Sequence, residues 1–299
     1  MEKIVLPIDY DYSEMLRAIR KIRQRFPFVA HSVIGRSVLG KDIISLSLGA
    51  GESVLYAAAF HGNEGITTPI LLRFFENLCG AFAADGEIRG VPVRRALKTN
   101  RIVVVPRVNP DGCDISLKGL KACGKYAAQI NKLCASNFRK YAANARGVDI
   151  NHNFDADWQK LKQLEKDNGI FGPAVKRYGG AHPESEPETV AMVKLCRKIP
   201  FRHVVALHTQ GEVIYWDFGE VKVKGAYAKA QHLSRLSGYA LDIPTGLAYG
   251  GGFKDWFIKE FARPGFTIEL GKGLNPLSAH KVDTIYEKIE GMLMESVLI

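Results

Sequence analysis

The stretch Ser53–Leu78, SVLYAAAFHGNEGITTPILLRFFENL, decides the fold. Val54–Phe60 is an unbroken apolar run, too short for a helix of ordinary length and lacking the polar alternation of a half-exposed strand. It reads as a strand buried on both faces. His61 and Glu64 follow at once, and apolar residues at helical spacing come after them. A buried strand therefore delivers two ligating side chains to its carboxyl end, just ahead of an amphipathic helix.

The same unit recurs on either side. Residues 101–112, RIVVVPRVNPDG, read as an apolar strand closed by an Asn-Pro-Asp-Gly turn. Residues 202–209, RHVVALHT, read as a strand ending at His208, and 265–271, GFTIELG, as a strand bearing Glu269. Helices are predicted over Ser13–Arg25 behind the N-cap Ser13, and over 185–199, where Ser185 and Glu188 stand at capping-box spacing. Further helices are expected ahead of Gly238, after the glycine-rich loop at 246–252, and from Val282 to Leu298. Residues 112–145 show no sustained period and read as an irregular excursion with some helix. Strands alternating with helices predict an α/β fold: one domain, 1–299, with a mostly parallel twisted sheet covered by helices on both faces. Such sheets bind ligands beyond the carboxyl ends of their strands.

Composition sets the outer bounds. At 299 residues, 46% hydrophobic and 24% charged, the chain can bury a substantial core. The N-terminal residues lack the features of a secretory signal, and no apolar run reaches membrane-spanning length. Five cysteines without a CxxC pair suggest neither a disulfide framework nor a thiolate metal site, so a cytoplasmic setting is expected. The net charge of +10 comes from scattered lysines and arginines with no nucleic-acid-binding signature. It leaves either a solvated basic surface or a cleft that attracts a small acidic substrate, with no nucleic acid, membrane or obligate protein partner implied.

A catalytic zinc site needs three nitrogen or carboxylate ligands and an open position for water. His61 and Glu64 have suitable spacing, although a bare HxxE also arises in ordinary turns. His208, at the end of an apolar strand, is either a ligand or a core histidine. Glu269 lies in a buried strand, where a carboxylate costs several kcal/mol (on the order of 2–7) unless it is paired or faces a site.

Taken in order, HGNE, PRVNPDG, RGVDINHNF, SEPET, LHTQG and TIELG resemble the zinc metallocarboxypeptidase family from GRSVLGKDI, near the N-terminus, to the last helix. The resemblance implies a single-domain mixed, mostly parallel twisted sheet flanked by helices and one zinc ion held by His61, Glu64 and His208, with Glu269 as the general base that takes a proton from the attacking water. It implies that Asp149 orients the first zinc histidine, and that Arg146, or else Arg139, stabilises the oxyanion. Tyr249 is similar to the family's mobile tyrosine, with a one-residue shift of the loop.

Two positions depart from the pattern. Exopeptidases of the family clamp the substrate's terminal carboxylate with an asparagine followed by an arginine, whereas this chain has Asn151-His152. Histidine offers no bidentate fork. Lys254 stands where the family's specificity-pocket residue lies, and a cation there favours a leaving residue that bears an acidic group. Together with the expected absence of propeptide and signal, these features resemble the bacterial branch that cleaves γ-D-glutamyl-diaminopimelate bonds of peptidoglycan peptides. The expected substrate is accordingly a small acidic muropeptide. Alternatives are an ordinary metallocarboxypeptidase, a zinc deacylase of the aspartoacylase and succinylglutamate desuccinylase type, and a binding protein that has kept the fold without catalysis.

Overall fold

The computed structural model describes residues 2–299. Its strands, in chain order, are β1 (Ala30–Arg36), β2 (Asp42–Gly49), β3 (Glu52–Ala58), β4 (Glu87–Ile88), β5 (Val91–Pro92), β6 (Asn100–Val105), β7 (His203–His208), β8 (Val213–Tyr215), β9 (Ala240–Asp242) and β10 (Gly265–Glu269). The helices are α1 (Tyr12–Arg25), α2 (Thr67–Ala84), α3 (Val93–Ala96), α4 (Pro110–Lys118), α5 (Ala127–Cys134), α6 (Trp158–Asp167), α7 (Pro187–Lys198), α8 (Ala226–Ser237), α9 (Phe253–Phe261) and α10 (Val282–Glu295). Eight strands form one sheet in the order β1-β2-β6-β3-β7-β10-β8-β9, while β4 and β5 pair apart. The central run β6-β3-β7-β10 is parallel; β1-β2, β2-β6 and β10-β8 are antiparallel.

Alternation along β3 explains the layering. Val54, Tyr56 and Ala58 pack into one core with α1, α2, α8 and α10, while Leu55 and Ala57 enter a second core with α7 and α9. Both faces are covered, as the unbroken apolar run requires. Because β3, β7 and β10 are parallel neighbours, their carboxyl ends share one edge. There Glu269 lies opposite His208, and His61 follows β3. No helix of the described residues is long and apolar enough to cross a membrane.

Several local expectations need correction. The N-cap of α1 is Asp11, whose Oδ1 accepts from the Glu14 N–H at 2.7 Å and from the Ser13 hydroxyl at 2.7 Å. A carboxylate can accept both bonds, so Ser13 falls inside the helix. Asn-Pro-Asp-Gly is the start of α4 and not a turn. The Asn109 side chain caps the Gly112 N–H at 2.8 Å, and Pro110 occupies the first helical position, where no N–H is needed. Ser185 caps nothing, because α7 begins after Glu186, and its hydroxyl donates to Glu186 Oε1. The excursion at 112–145 is more helical than its sequence suggests, holding α4, α5 and short 3-10 turns around a small core of Ile115, Ile130 and Tyr141.

Close backbone approach fixes the loop that follows β3. A Cβ on Gly62 would lie 2.4 Å from the Gly112 carbonyl oxygen, and one on Gly112 would lie 2.3 Å from the Ala143 oxygen. Asn109 Nδ2 bridges the same segments by donating to the carbonyls of Phe60 and Ala143. Glycine at both positions lets the His61 loop, α4 and the 142–144 segment stack in contact.

Candidate metal centre

His61, at the end of the β3 loop, and His208, at the end of β7, both direct Nδ1 at one carboxylate. The Nδ1 of His61 lies 2.9 Å from Glu64 Oε1, and that of His208 lies 3.0 Å from Glu64 Oε2. Donor atoms of the three residues fall within 4.8 Å of one another. On its far side, His61 Nε2 lies 3.1 Å from Asp149 Oδ1. A hydrogen on Nε2, donated to Asp149, leaves the Nδ1 lone pair facing carboxylate lone pairs. That contact is attractive when a cation, a metal ion or a second ring proton, lies between them. Two imidazoles, one carboxylate and a second carboxylate behind the first imidazole form a donor set that fits a single zinc ion.

The electrostatics agree. Burial opposes charge on His61, but Glu64 and Asp149 outweigh it and raise its pKa. Burial likewise opposes charge on Glu64, yet the two histidines hold its pKa below the usual carboxylate range. The Asp149 carboxylate is held well below that range by His61 and His152 despite its burial. Glu269 goes the other way. At the floor of the cleft, burial first and the charge of Glu64 second push its pKa up to about 8, with His61 opposing.

A cavity of about 650 Å³ opens over this centre. It brings together His61, Glu64, His208, Asp149, Glu269, Asn151, His152 and Lys254. Asn151 Oδ1 accepts from the Phe253 N–H at 3.0 Å, which leaves its amide nitrogen as the donor for a ligand. His152 Nδ1 lies 3.6 Å from Glu165 Oε1 of α6, so the ring is turned partly toward that helix. Lys254 is buried, paired with Asp255 and donating to the Asp217 carbonyl at 2.6 Å.

Three sequence candidates lie elsewhere. Arg146 faces Glu186 at 3.5 Å, and Arg139 lines a neighbouring depression with Cys113 and His280. Tyr249 packs against Phe218 with tilted rings whose centroids lie 5.0 Å apart. Sequence reasoning also missed residues that line the cavity: Lys140, Lys176, Arg177, Tyr215 and Asn275. Asn275 carries a signal only in space, since its amide donates to the Thr209 carbonyl at 2.9 Å and lies 3.5 Å from Glu64 Oε1.

The profile of the zinc carboxypeptidase family matches residues 15–290. Gamma-D-glutamyl-L-diamino acid endopeptidase 1 of Lysinibacillus sphaericus is 39% identical over 96% of this chain and 72% of its own length. The uncharacterized protein YqgT of Bacillus subtilis strain 168 is 35% identical over 96% of this chain and 77% of its own. Among solved structures, thrombin activatable fibrinolysis inhibitor superposes with a TM-score of 0.77 at 17% identity, covering 99% of this chain and 77% of that one. That last likeness is one of fold.

Proposed function

The chain belongs to the zinc carboxypeptidase family, a family of metallopeptidases, and from that premise we propose that it hydrolyses the amide bond between a γ-linked D-glutamyl residue and a diamino acid such as diaminopimelate. The observation that carries this reading is near-full-length identity of 39% to a relative named for that bond. The sequence resemblance supports it: His152, which lines the cavity, takes the position of the arginine that in the family's exopeptidases clamps a terminal carboxylate, and histidine offers no bidentate fork.

His61, Glu64 and His208 would hold the zinc ion. When bound, it supplies positive charge that polarises the scissile carbonyl and acidifies water. Glu269 takes the proton of the attacking water as oxygen bonds to the carbonyl carbon, then returns it to the leaving nitrogen as the C–N bond breaks. Burial and Glu64 raise its pKa in the metal-free centre, and a zinc ion beside it would lower that pKa and leave the carboxylate ionised to take the proton. Asp149 keeps the His61 ring in one tautomer. Asn151 and His152 orient the leaving diamino acid, and Lys254 faces its remote carboxylate while remaining paired with Asp255. The proposal includes a cytoplasmic setting and a muropeptide fragment as substrate; five free, buried cysteines support the reducing compartment.

Zinc-loaded protein incubated with L-Ala-γ-D-Glu-diaminopimelate, beside peptides with ordinary C-terminal residues, tests the reading. Release of free diaminopimelate with little trimming of the ordinary peptides is expected. The reverse pattern would make the protein a simple carboxypeptidase.

A further inference from the structure

Lys140, Lys176 and Arg177 line the metal cavity and are exposed. Among the described residues, no carboxylate lies within ion-pair distance of any of the three side chains. The acidic groups of the cavity are committed elsewhere. Glu64 is engaged by His61 and His208, and Asp149 by His61 and the N–H groups of Asn151 and Arg177. Asp255 is held by Lys254 and the Gly250 N–H, which leaves Glu269 facing the reacting atoms. Surplus positive charge is therefore built into the wall beside His61, and it awaits an anion from outside the chain.

Arg177 is the most firmly rooted of the three. Its main-chain N–H donates to Asp149 Oδ2 at 2.8 Å, while the Asp149 N–H donates to the Tyr178 carbonyl at 2.8 Å. One carboxylate thus joins the Arg177 backbone to the outer nitrogen of His61. The residue has φ +69°, a left-handed conformation that a side chain larger than glycine adopts at a cost and keeps where its surroundings fix it. The root of the guanidinium is consequently set relative to the metal ligands.

Resting on the substrate reading above, we infer that Arg177, flanked by Lys140 and Lys176, binds the free α-carboxylate of the γ-linked glutamyl residue. In a γ-glutamyl amide the scissile carbonyl belongs to the side chain, so the α-carboxylate stays ionised a short alkyl chain away. An ordinary α-peptide bond consumes that carboxylate. A planar guanidinium with no internal partner grips a carboxylate with two parallel hydrogen bonds. It thereby selects the type of linkage. Lys254 is paired with Asp255 and does not supply this free charge.

The test compares L-Ala-γ-D-Glu-diaminopimelate with the same peptide carrying an α-carboxamide on its D-glutamyl residue, for wild type, Arg177→Ala and Arg177→Lys. Zinc content is measured on each protein. Wild type should prefer the free acid by about tenfold or more in kcat/KM, the scale of one charge-assisted contact. That ratio should fall toward unity in Arg177→Ala and recover in part in Arg177→Lys, with zinc content unchanged. Equal cleavage of both peptides by wild type overturns the inference alone. So does an equal loss on both in Arg177→Ala, which would reduce Arg177 to a support for Asp149. Cleavage of neither peptide by zinc-loaded wild type overturns the substrate reading, and this inference with it.

Discussion

Glu269 carries the heaviest chemical burden of any single residue. Its replacement by glutamine should lower kcat by about 10²–10⁴-fold and leave zinc content at the wild-type level, as loss of a general base does. The base must be ionised, so activity falls as pH drops through its pKa. Burial and Glu64 raise that pKa to about 8, and a bound zinc ion pulls it down. The acid limb of the kcat/KM profile should therefore lie between about 4.3, the ordinary glutamate value, and about 8. Asp149→Asn should keep the fold and weaken zinc affinity by about 10–100-fold in a chelator competition, because the anion behind His61 is gone. At this scale the sequence was informative wherever a polar side chain interrupts an apolar strand: His208 and Glu269 stand out for that reason. Arg177 and Asn275 were hidden because they reach the cavity from loops, where a polar residue breaks no pattern.

Buried carboxylates tie elements to one another. Glu188, in the first turn of α7, accepts from the Val38 N–H at 3.0 Å and from Asn144 at 3.2 Å, and Asp111 of α4 accepts from the Leu39 N–H at 2.8 Å. These bonds hold the β1–β2 turn against the segment leading to Asp149. Burial pushes the Glu188 pKa from 4.5 to about 7, with its hydrogen bonds opposing. A raised folded-state pKa means that the protonated form favours folding. Its contribution is complete below about pH 4.5 and is lost as pH rises through about 7. Glu188→Gln should remove this dependence, so the variant gains stability relative to wild type across that window, on the order of 1–3 kcal/mol. Urea unfolding at pH 4.5 and pH 8 measures it, and a constant difference between the proteins would refute it. Strand and helix types were legible from periodicity, whereas the start of α4 was not. Asn-Pro-Asp-Gly suits a turn and a capped helix equally, and the neighbours that Asn109 bonds lie far along the chain.

For the whole molecule, the sheet order places ligands from β3 and β7 together, although 144 residues separate Glu64 from His208. A metal joining them binds the folded chain and not the unfolded one. Zinc at about 100 times its dissociation constant should therefore add about 2.7 kcal/mol of stability. A chelator should lower the unfolding midpoint of wild type and leave that of His61→Ala unmoved. The α/β class and the two-sided cover of the sheet followed from the apolar run Val54–Phe60, but the antiparallel edge strands did not, since strand direction leaves little mark on composition. The most direct test of the central claim is product analysis by mass spectrometry after zinc-loaded protein meets L-Ala-γ-D-Glu-diaminopimelate. Free diaminopimelate and the dipeptide L-Ala-D-Glu, both absent with Glu269→Gln, are the predicted products. An intact tripeptide, or the same products from the Glu269→Gln protein, would contradict the account.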